Sequence, residues 1–421
     1  MAAPSAKAPM PRAVRLVLLI IAINAVGFGI VIPVTPAMVM ELGGIDIARA
    51  TAIGGWLAFA YALSQFVFSP VMGNLSDRFG RRPVILGSLA GFAIDFLILA
   101  IAPNLIWVFV VRVVAGIFGA TNAPAQALIA DLVPPDQRAR YYGLIGSAFA
   151  IGFIAGPAIG GLLGGFGHRV PFLVAAALIG ASAIYGWFAL PETLAPENRR
   201  KFEWRRANPV GALMQVRKLH GVLPIAFVYL LWQLSTLVYP MTWSYFTIAR
   251  YGWSTSLVGA SLAGVGLGMV MVQTLLLPRL VPRFGERGTA TIGVVGSGLT
   301  MLALAAAGQG WMVFALLPTM ALQALVHPNL TAMMTQRADR TTQGEVQGFA
   351  SGVMALGSLA APLIYNPLQA RFSAEGADPY LPGIAYLVAG LCGLATLPVL
   401  LTMAKAMRRE GEAAKAPAPT P

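Results

Sequence analysis

Between two long apolar runs lies Gly73-Asn-Leu-Ser-Asp77-Arg-Phe-Gly80-Arg81-Arg82-Pro83, which places one acid, three arginines and two glycines in a single short connection. Glycine and proline punctuate regular structure, so the segment reads as a tight turn between two helices. The apolar runs on either side, about 51–73 and 83–102, are each near the ~20 residues needed to cross a bilayer. A charged turn between two such runs belongs at a membrane surface. A weaker copy, Pro282-Arg-Phe-Gly-Glu-Arg287, follows 205 residues later, so that Phe79-Gly80 recurs as Phe284-Gly285. The same offset relates Gly143 to Gly348 and Gly156-Pro157 to Ala361-Pro362. One offset kept at three separate places points to a duplicated, membrane-embedded chain.

Charge content supports the membrane reading. Only 11% of the 421 residues are charged, against about 25% in soluble domains, and the mean hydropathy is +0.73. Twelve apolar runs can be marked, at about 13–35, 51–73, 83–102, 105–130, 141–164, 169–190, 222–248, 255–280, 289–308, 311–335, 344–370 and 380–404. The first is too long for a signal-peptide core and is followed by Pro33 and Pro36 rather than a small-residue cleavage site, so it reads as a retained helix. The expected fold class is an all-α membrane protein with twelve transmembrane helices in two pseudo-symmetric halves. The expected domains are residues 1–190, a cytoplasmic linker 191–221, residues 222–404, and a disordered tail 405–421.

Basic residues set the orientation. The two tails and the even-numbered connections hold 24 of the 29 Lys and Arg. The odd-numbered connections hold Arg49, Arg169, Arg250 and Arg371, and Arg112 lies within a span. Both termini are therefore expected in the cytoplasm, with the chain in the cell's inner membrane. The net charge of +13 is accounted for as a topology signal beside anionic lipid, which removes nucleic acid as a partner. Cys392 is the single cysteine, and His168, His220 and His327 stand far apart, so no metal site or cofactor is expected. No Gly-x-Ser-x-Gly, His-Glu-x-x-His or pair of intramembrane aspartates supports an enzyme.

Three motifs carry a family resemblance. The Gly73–Arg82 turn resembles the loop signature of the major facilitator superfamily, Arg112-Val-Val-Ala-Gly116 its fourth-span arginine motif, and Gly152-Phe-Ile-Ala-Gly156-Pro157-Ala-Ile-Gly160-Gly161 the fifth-span motif of its antiporters. The chain is most similar to the tetracycline/proton antiporter group. The resemblance implies a monomeric secondary transporter whose two six-helix halves are parallel repeats, with the substrate near the midplane. It also implies a cytoplasmic gate at Asp77, Arg81 and Asp131, joined by Arg138. The alternative for these charges is a static surface pair worth about 0–1 kcal/mol. In the second half Pro282 replaces Asp77 and Glu286 replaces Arg81, so the gate is expected on one half only. The fifth-span glycines are read either as close packing or as a bend that seals a cavity. Gly264-Val-Gly266-Leu-Gly268 is read as helix packing.

Asp95 is the one carboxylate well inside a span. An acid there costs about 2.5–3.5 kcal/mol on insertion scales and is a functional candidate by default. It is either a proton carrier or the partner of Arg112, and the antiparallel third and fourth spans place both at similar depth. His327, midway along the tenth span, titrates in the physiological range and is a candidate for proton relay or ligand binding. Asn24, Gln65, Gln126, Trp232, Gln233, Gln273, His327 and Asn329 are the candidate substrate contacts, with Asn122, Gln323, Tyr239 and Trp243 nearby. Each of these polar residues can instead make an interhelical hydrogen bond. The tetracycline exporters carry acids where this chain has Asn24 and Ser297, and a histidine where it has Met269, which disfavours metal-chelated tetracycline as cargo. The expected function is proton-coupled efflux of a small amphiphilic compound. Uptake or facilitated diffusion of a metabolite or peptide-like substrate is the alternative.

Overall fold

A computed structural model describes residues 10–119, 122–134, 137–202, 223–335 and 343–402. Their regular elements are helices: α1 (Arg12–Val31), α2 (Thr35–Gly43), α3 (Ile47–Phe79), α4 (Arg81–Ile101), α5 (Leu105–Gly119), α6 (Asn122–Leu132), α7 (Arg138–Gly164), α8 (Val170–Ala189), α9 (Leu223–Tyr251), α10 (Thr255–Met271), α11 (Leu277–Ala306), α12 (Gly310–Met320), α13 (Val326–Thr335), α14 (Gln343–Ser373) and α15 (Ile384–Leu394). Among the described residues, ten helical runs are long and apolar enough to cross a membrane. One of them, Thr255–Ala306, is 52 residues long and takes in two expected spans. α14, of 31 residues, occupies the place of another, which accommodates twelve crossings. Residues 203–222 of the linker and the tail 405–421 lie outside the described residues.

Three features differ from the sequence reading. The first span ends at Val31 rather than near 35, because Pro33 has no N–H to continue the ladder; α2 then starts with a proline in its first turn. The connection at 281–288 is no open loop but a near-continuous helix broken at one residue, Gly285, with φ +68°. Its repeat counterpart Gly80 has φ +109°. Both positions need a conformation that side chains with a Cβ rarely adopt, which explains why the glycine is kept where Asp77 and Arg81 are not. The tenth span is interrupted by a 3-10 turn, Ala321–Leu325, between α12 and α13.

The chain divides into two units. The first comprises residues 1–46, 56–209 and 253–263 and the second residues 47–55, 210–252 and 264–421. In the first unit α1 lies along α7 at very short range. A Cβ on Gly156 would stand 2.6 Å from Gly29 Cα, and one on Gly160 would stand 2.7 Å from Ile30 Cα. Farther along α7, Ser256 Oγ donates to the Gly161 carbonyl at 2.9 Å, and a Cβ on Gly161 would stand 2.9 Å from Gly259 Cα. Small residues let helix backbones approach where lipid supplies no hydrophobic drive. The fifth-span glycines thus make close packing. Gly156→Val is expected to lower thermal stability in detergent by about 1–3 kcal/mol, the usual cost of overpacking. An unchanged melting temperature would show that the α1–α7 approach can relax.

In the second unit α9 packs on α14 and α15, and α11 on α15. Tyr239, Trp243, Phe246 and Tyr386 stack in one buried aromatic group, with Phe246 and Tyr386 centroids 4.7 Å apart. Gly264 and Gly268 face Leu317 and Ala321, the packing role expected of that glycine run.

Candidate gating and coupling sites

The turn between α3 and α4 gathers its charges around Arg81. Gly80 reverses the chain, which brings the first residue of α4 back over the last turn of α3. Arg81 Nη1 donates to Asp77 Oδ1 at 2.5 Å and to Ser76 Oγ at 2.7 Å, and its Nε stands 3.5 Å from Asp131 Oδ2 at the end of α6. A second layer comes from the segment after α8. Glu192 Oε1 accepts three backbone N–H groups, from Arg81 at 3.0 Å, Thr193 at 2.9 Å and Leu194 at 3.0 Å. Thr193 Oγ1 donates to Asp131 Oδ2 at 3.0 Å, and the Arg200 N–H donates to the Asp77 carbonyl at 3.1 Å. Glu192 therefore places a carboxylate at the N-terminus of α4, where free N–H groups and the helix dipole favour negative charge. A Cβ on Gly80 would stand 2.7 Å from Glu192 Cδ, a second reason for glycine there. A cavity of about 570 Å³ opens beside this group, lined in part by Asp77, Arg81, Asp131, Glu197 and Arg200. Arg82 turns away, donating to the Trp187 carbonyl with its guanidinium 5.6 Å from that indole ring. The side chain of Arg138 lies outside the described residues.

Deeper in the same unit, Arg112 Nη2 on α5 pairs with Asp95 Oδ2 on α4. Asp95 is 3% exposed. The Arg112 guanidinium also stands 5.9 Å from the Phe96 ring. Asp95 Oδ1 and Arg112 Nε are buried without hydrogen-bond partners, so the two charges meet through one contact and leave capacity on each. Gln65 donates to the Gly119 carbonyl at 2.9 Å and lies 3.4 Å from Tyr61 Oη. Asn24 Oδ1 on α1 is buried without a partner. Gln126 on α6 is exposed, and the side chain of Asn122 lies outside the described residues.

The remaining candidates belong to the second unit. His327 is exposed, and its Nδ1 lies 2.9 Å from Tyr229 Oη. Asn329 is buried and donates to the Leu325 carbonyl at 2.6 Å. Trp232 lies in a packed cluster with Tyr229, Val294 and Met333. Gln233 is half-buried against Gly357, and Gln273 is exposed within a π-helical turn, Val272–Leu276. Ser297 is fully buried and donates to the Gly293 carbonyl of its own helix at 2.6 Å, and Met269 joins an apolar cluster.

Residues 17–362 match the Major Facilitator Superfamily. The chain belongs to the major facilitator superfamily. Like other members of that superfamily it is a secondary transporter and not an enzyme. It is 37% identical to the class C tetracycline resistance protein of Escherichia coli, over 90% of this chain and 94% of that protein. It is 36% identical to the class G tetracycline resistance protein of Vibrio anguillarum, over 91% and 95%. The crystal structure of the human organic anion transporter MFSD10 shares its fold, with a TM-score of 0.69 at 22% identity over 94% of this chain and all of that one.

In this superfamily member the structure brings Asp77, Arg81 and Asp131 into one group and pairs Asp95 with Arg112, one of the two alternatives that the sequence left open for Asp95. The sequence reading missed Ser76, Glu192 and Thr193. A carboxylate placed directly after the sixth span, in Pro191-Glu192-Thr193, was the available signal. Tyr229 had no signal at all, being one aromatic residue on an apolar helix. Glu192→Ala leaves the Arg81, Thr193 and Leu194 N–H groups without their acceptor. The expected loss is about 1–3 kcal/mol of stability, read as a lower unfolding midpoint, and Glu192→Gln, which keeps one acceptor oxygen, should lose less.

Proposed function

We propose that this transporter works as a monomer in the inner membrane, with both termini cytoplasmic, and exports a small amphiphilic organic compound in exchange for protons by alternating access. The observation that carries the reading is the Asp95–Arg112 pair, a titratable acid buried within a span beside a single cation. Such an acid is costly in a bilayer and characteristic of proton relays. The similarity to tetracycline resistance proteins supports export as the direction. Metal-chelated tetracycline is disfavoured as cargo, because Asn24, Ser297 and Met269 supply no carboxylate or imidazole, and Ser297 and Met269 are engaged within their own unit. The polar candidates Gln65, Gln126, Gln233 and Gln273, set among apolar spans, suit an amphiphile. Asp77, Arg81 and Asp131 serve as the cytoplasmic gate in this scheme.

A membrane potential of 100 mV contributes about 2.3 kcal/mol per charge, enough for a gradient of roughly 50-fold. The test is purified protein in liposomes carrying an imposed pH gradient. Addition of a transported compound should dissipate the gradient and drive that compound uphill. Saturable transport with no accompanying proton movement would overturn the coupling.

A further inference from the structure

The run Gly310–Met334 holds one ionisable side chain, His327. It sits at an unusual place in the helix. The 3-10 turn Ala321–Leu325 ends two residues before it, and Pro328 follows without an N–H to donate. A second irregular segment, the π-helical turn Val272–Leu276, packs against that 3-10 turn, with Val272, Ala321, Ala324 and Leu325 in one cluster. Irregular turns inside long helices often mark functional hinges. Here two of them abut, and one ends two residues before His327.

The ring is held at one edge only. Tyr229, 1% exposed, brings its hydroxyl to within 2.9 Å of Nδ1, with ring centroids 5.4 Å apart. No other described residue bonds to the ring, and the His327 side chain is exposed. A histidine that merely filled the interior would be buried with both nitrogens engaged. A neutral imidazole carries one donor and one acceptor nitrogen, and the group bonded to one nitrogen decides the role of the other. Thr331, one turn on, spends its own proton on the His327 carbonyl at 2.9 Å. The Tyr229 hydroxyl also bonds to Thr331, which with its proton spent can only accept; of the two acceptors open to the tyrosine O–H, the imidazole is the stronger.

We propose that Tyr229 positions His327, holding Nδ1 as acceptor so that Nε2–H faces outward as a hydrogen-bond donor to an oxygen acceptor, such as a carbonyl or carboxylate, on the exported compound. Tyr229 is a positioning residue and His327 the contact. The inference rests on the export reading above and adds a substrate feature to it: the cargo carries an acceptor oxygen. It also assigns the second unit a polar recognition group where, among the described residues, its spans show no buried carboxylate to match Asp95.

Two measurements test it. Nitrogen-15 NMR of histidine-labelled protein in lipid, with the His327 signals identified by their loss in His327→Gln, should show Nε2 protonated and Nδ1 bare at neutral pH. Tyr229→Phe, which keeps the buried ring, should release the ring into a mixture of tautomers. A protonated Nδ1 in the unaltered protein, or no change in Tyr229→Phe, would overturn the positioning role. The second measurement is transport in proteoliposomes of norfloxacin, which has carbonyl and carboxylate oxygens, and of ethidium, which has no oxygen. His327→Ala should raise the norfloxacin KM about tenfold with little change in kcat. The ethidium KM should stay put, and His327→Gln, which restores an N–H near the Nε2 position, should recover most of the norfloxacin affinity. Equal effects on both compounds, or none on norfloxacin, would overturn the contact. If the unaltered protein moves neither compound, the export reading fails for these probes, and the NMR result alone then decides the role of Tyr229.

Discussion

Asp95→Asn is expected to abolish uphill, pH-driven transport, a loss of at least about 100-fold, and also to destabilise the protein. The two effects have separate causes. Asparagine keeps the size of the side chain but cannot exchange a proton, so a carrier of the coupling proton is lost. It also leaves Arg112 in a membrane span without its counter-charge, and breaking a buried pair at one partner costs about 3–5 kcal/mol. A loss of transport alone would therefore be ambiguous. Asp95→Asn combined with Arg112→Gln removes both charges, which typically returns most of the stability. The expected result is a double variant whose unfolding midpoint recovers and whose proton coupling does not. Were the double variant to pump against a gradient, the pair would be a static ion pair and the proton would travel elsewhere.

The second large effect is expected at Arg81. If its contacts form a static surface pair, Arg81→Ala should cost no more than about 1 kcal/mol and leave transport intact. If they latch the cytoplasmic mouth, the turnover rate should fall by about 10-fold or more while the unfolding midpoint moves little, because Asp77 and Asp131 remain partly solvated. Arg81→Lys should rescue little. One guanidinium reaches Asp77, Ser76 and Asp131 from different nitrogens, a fork that a single ammonium does not reproduce. Initial rates in proteoliposomes, paired with thermal unfolding of the same preparations, separate the two cases. Normal rates in Arg81→Ala would remove the latch.

The grouping of Asp77, Arg81 and Asp131 was readable from the chain because its members are close in sequence or sit at span ends. Asp77 and Arg81 are four residues apart across a glycine, and Asp131 ends a helix on the side rich in arginine. The layer beneath it was not readable. Glu192 reaches Arg81 from more than a hundred positions away, and its three hydrogen bonds are all to backbone N–H groups, which leave no trace in side-chain pattern. Tyr229 was hidden by distance along the chain, 98 positions from its partner. Its partner His327 was conspicuous as a lone histidine in an apolar run, but a tyrosine within an aromatic-rich helix is not. The repeat was visible as a constant spacing, and the structure supplies its cause at one position, since Gly80 and Gly285 both adopt positive φ. Trp232, conspicuous by size, proved to be packed in a cluster, whereas the equally plain Gln273 falls in a π-helical turn.

By itself the sequence determined that this chain crosses a membrane many times, that it is duplicated, and which few charges lie within its spans. Those properties depend on the length of apolar runs and the count of charges between them, quantities a bilayer reads segment by segment. Only the tertiary structure decided which polar atoms meet: Arg112 with Asp95, Glu192 with the start of α4, Tyr229 with one nitrogen of His327. Such meetings depend on the rotation and depth of each helix against its neighbours. Those are set by glycine-to-backbone contacts between remote segments, and no local pattern encodes them.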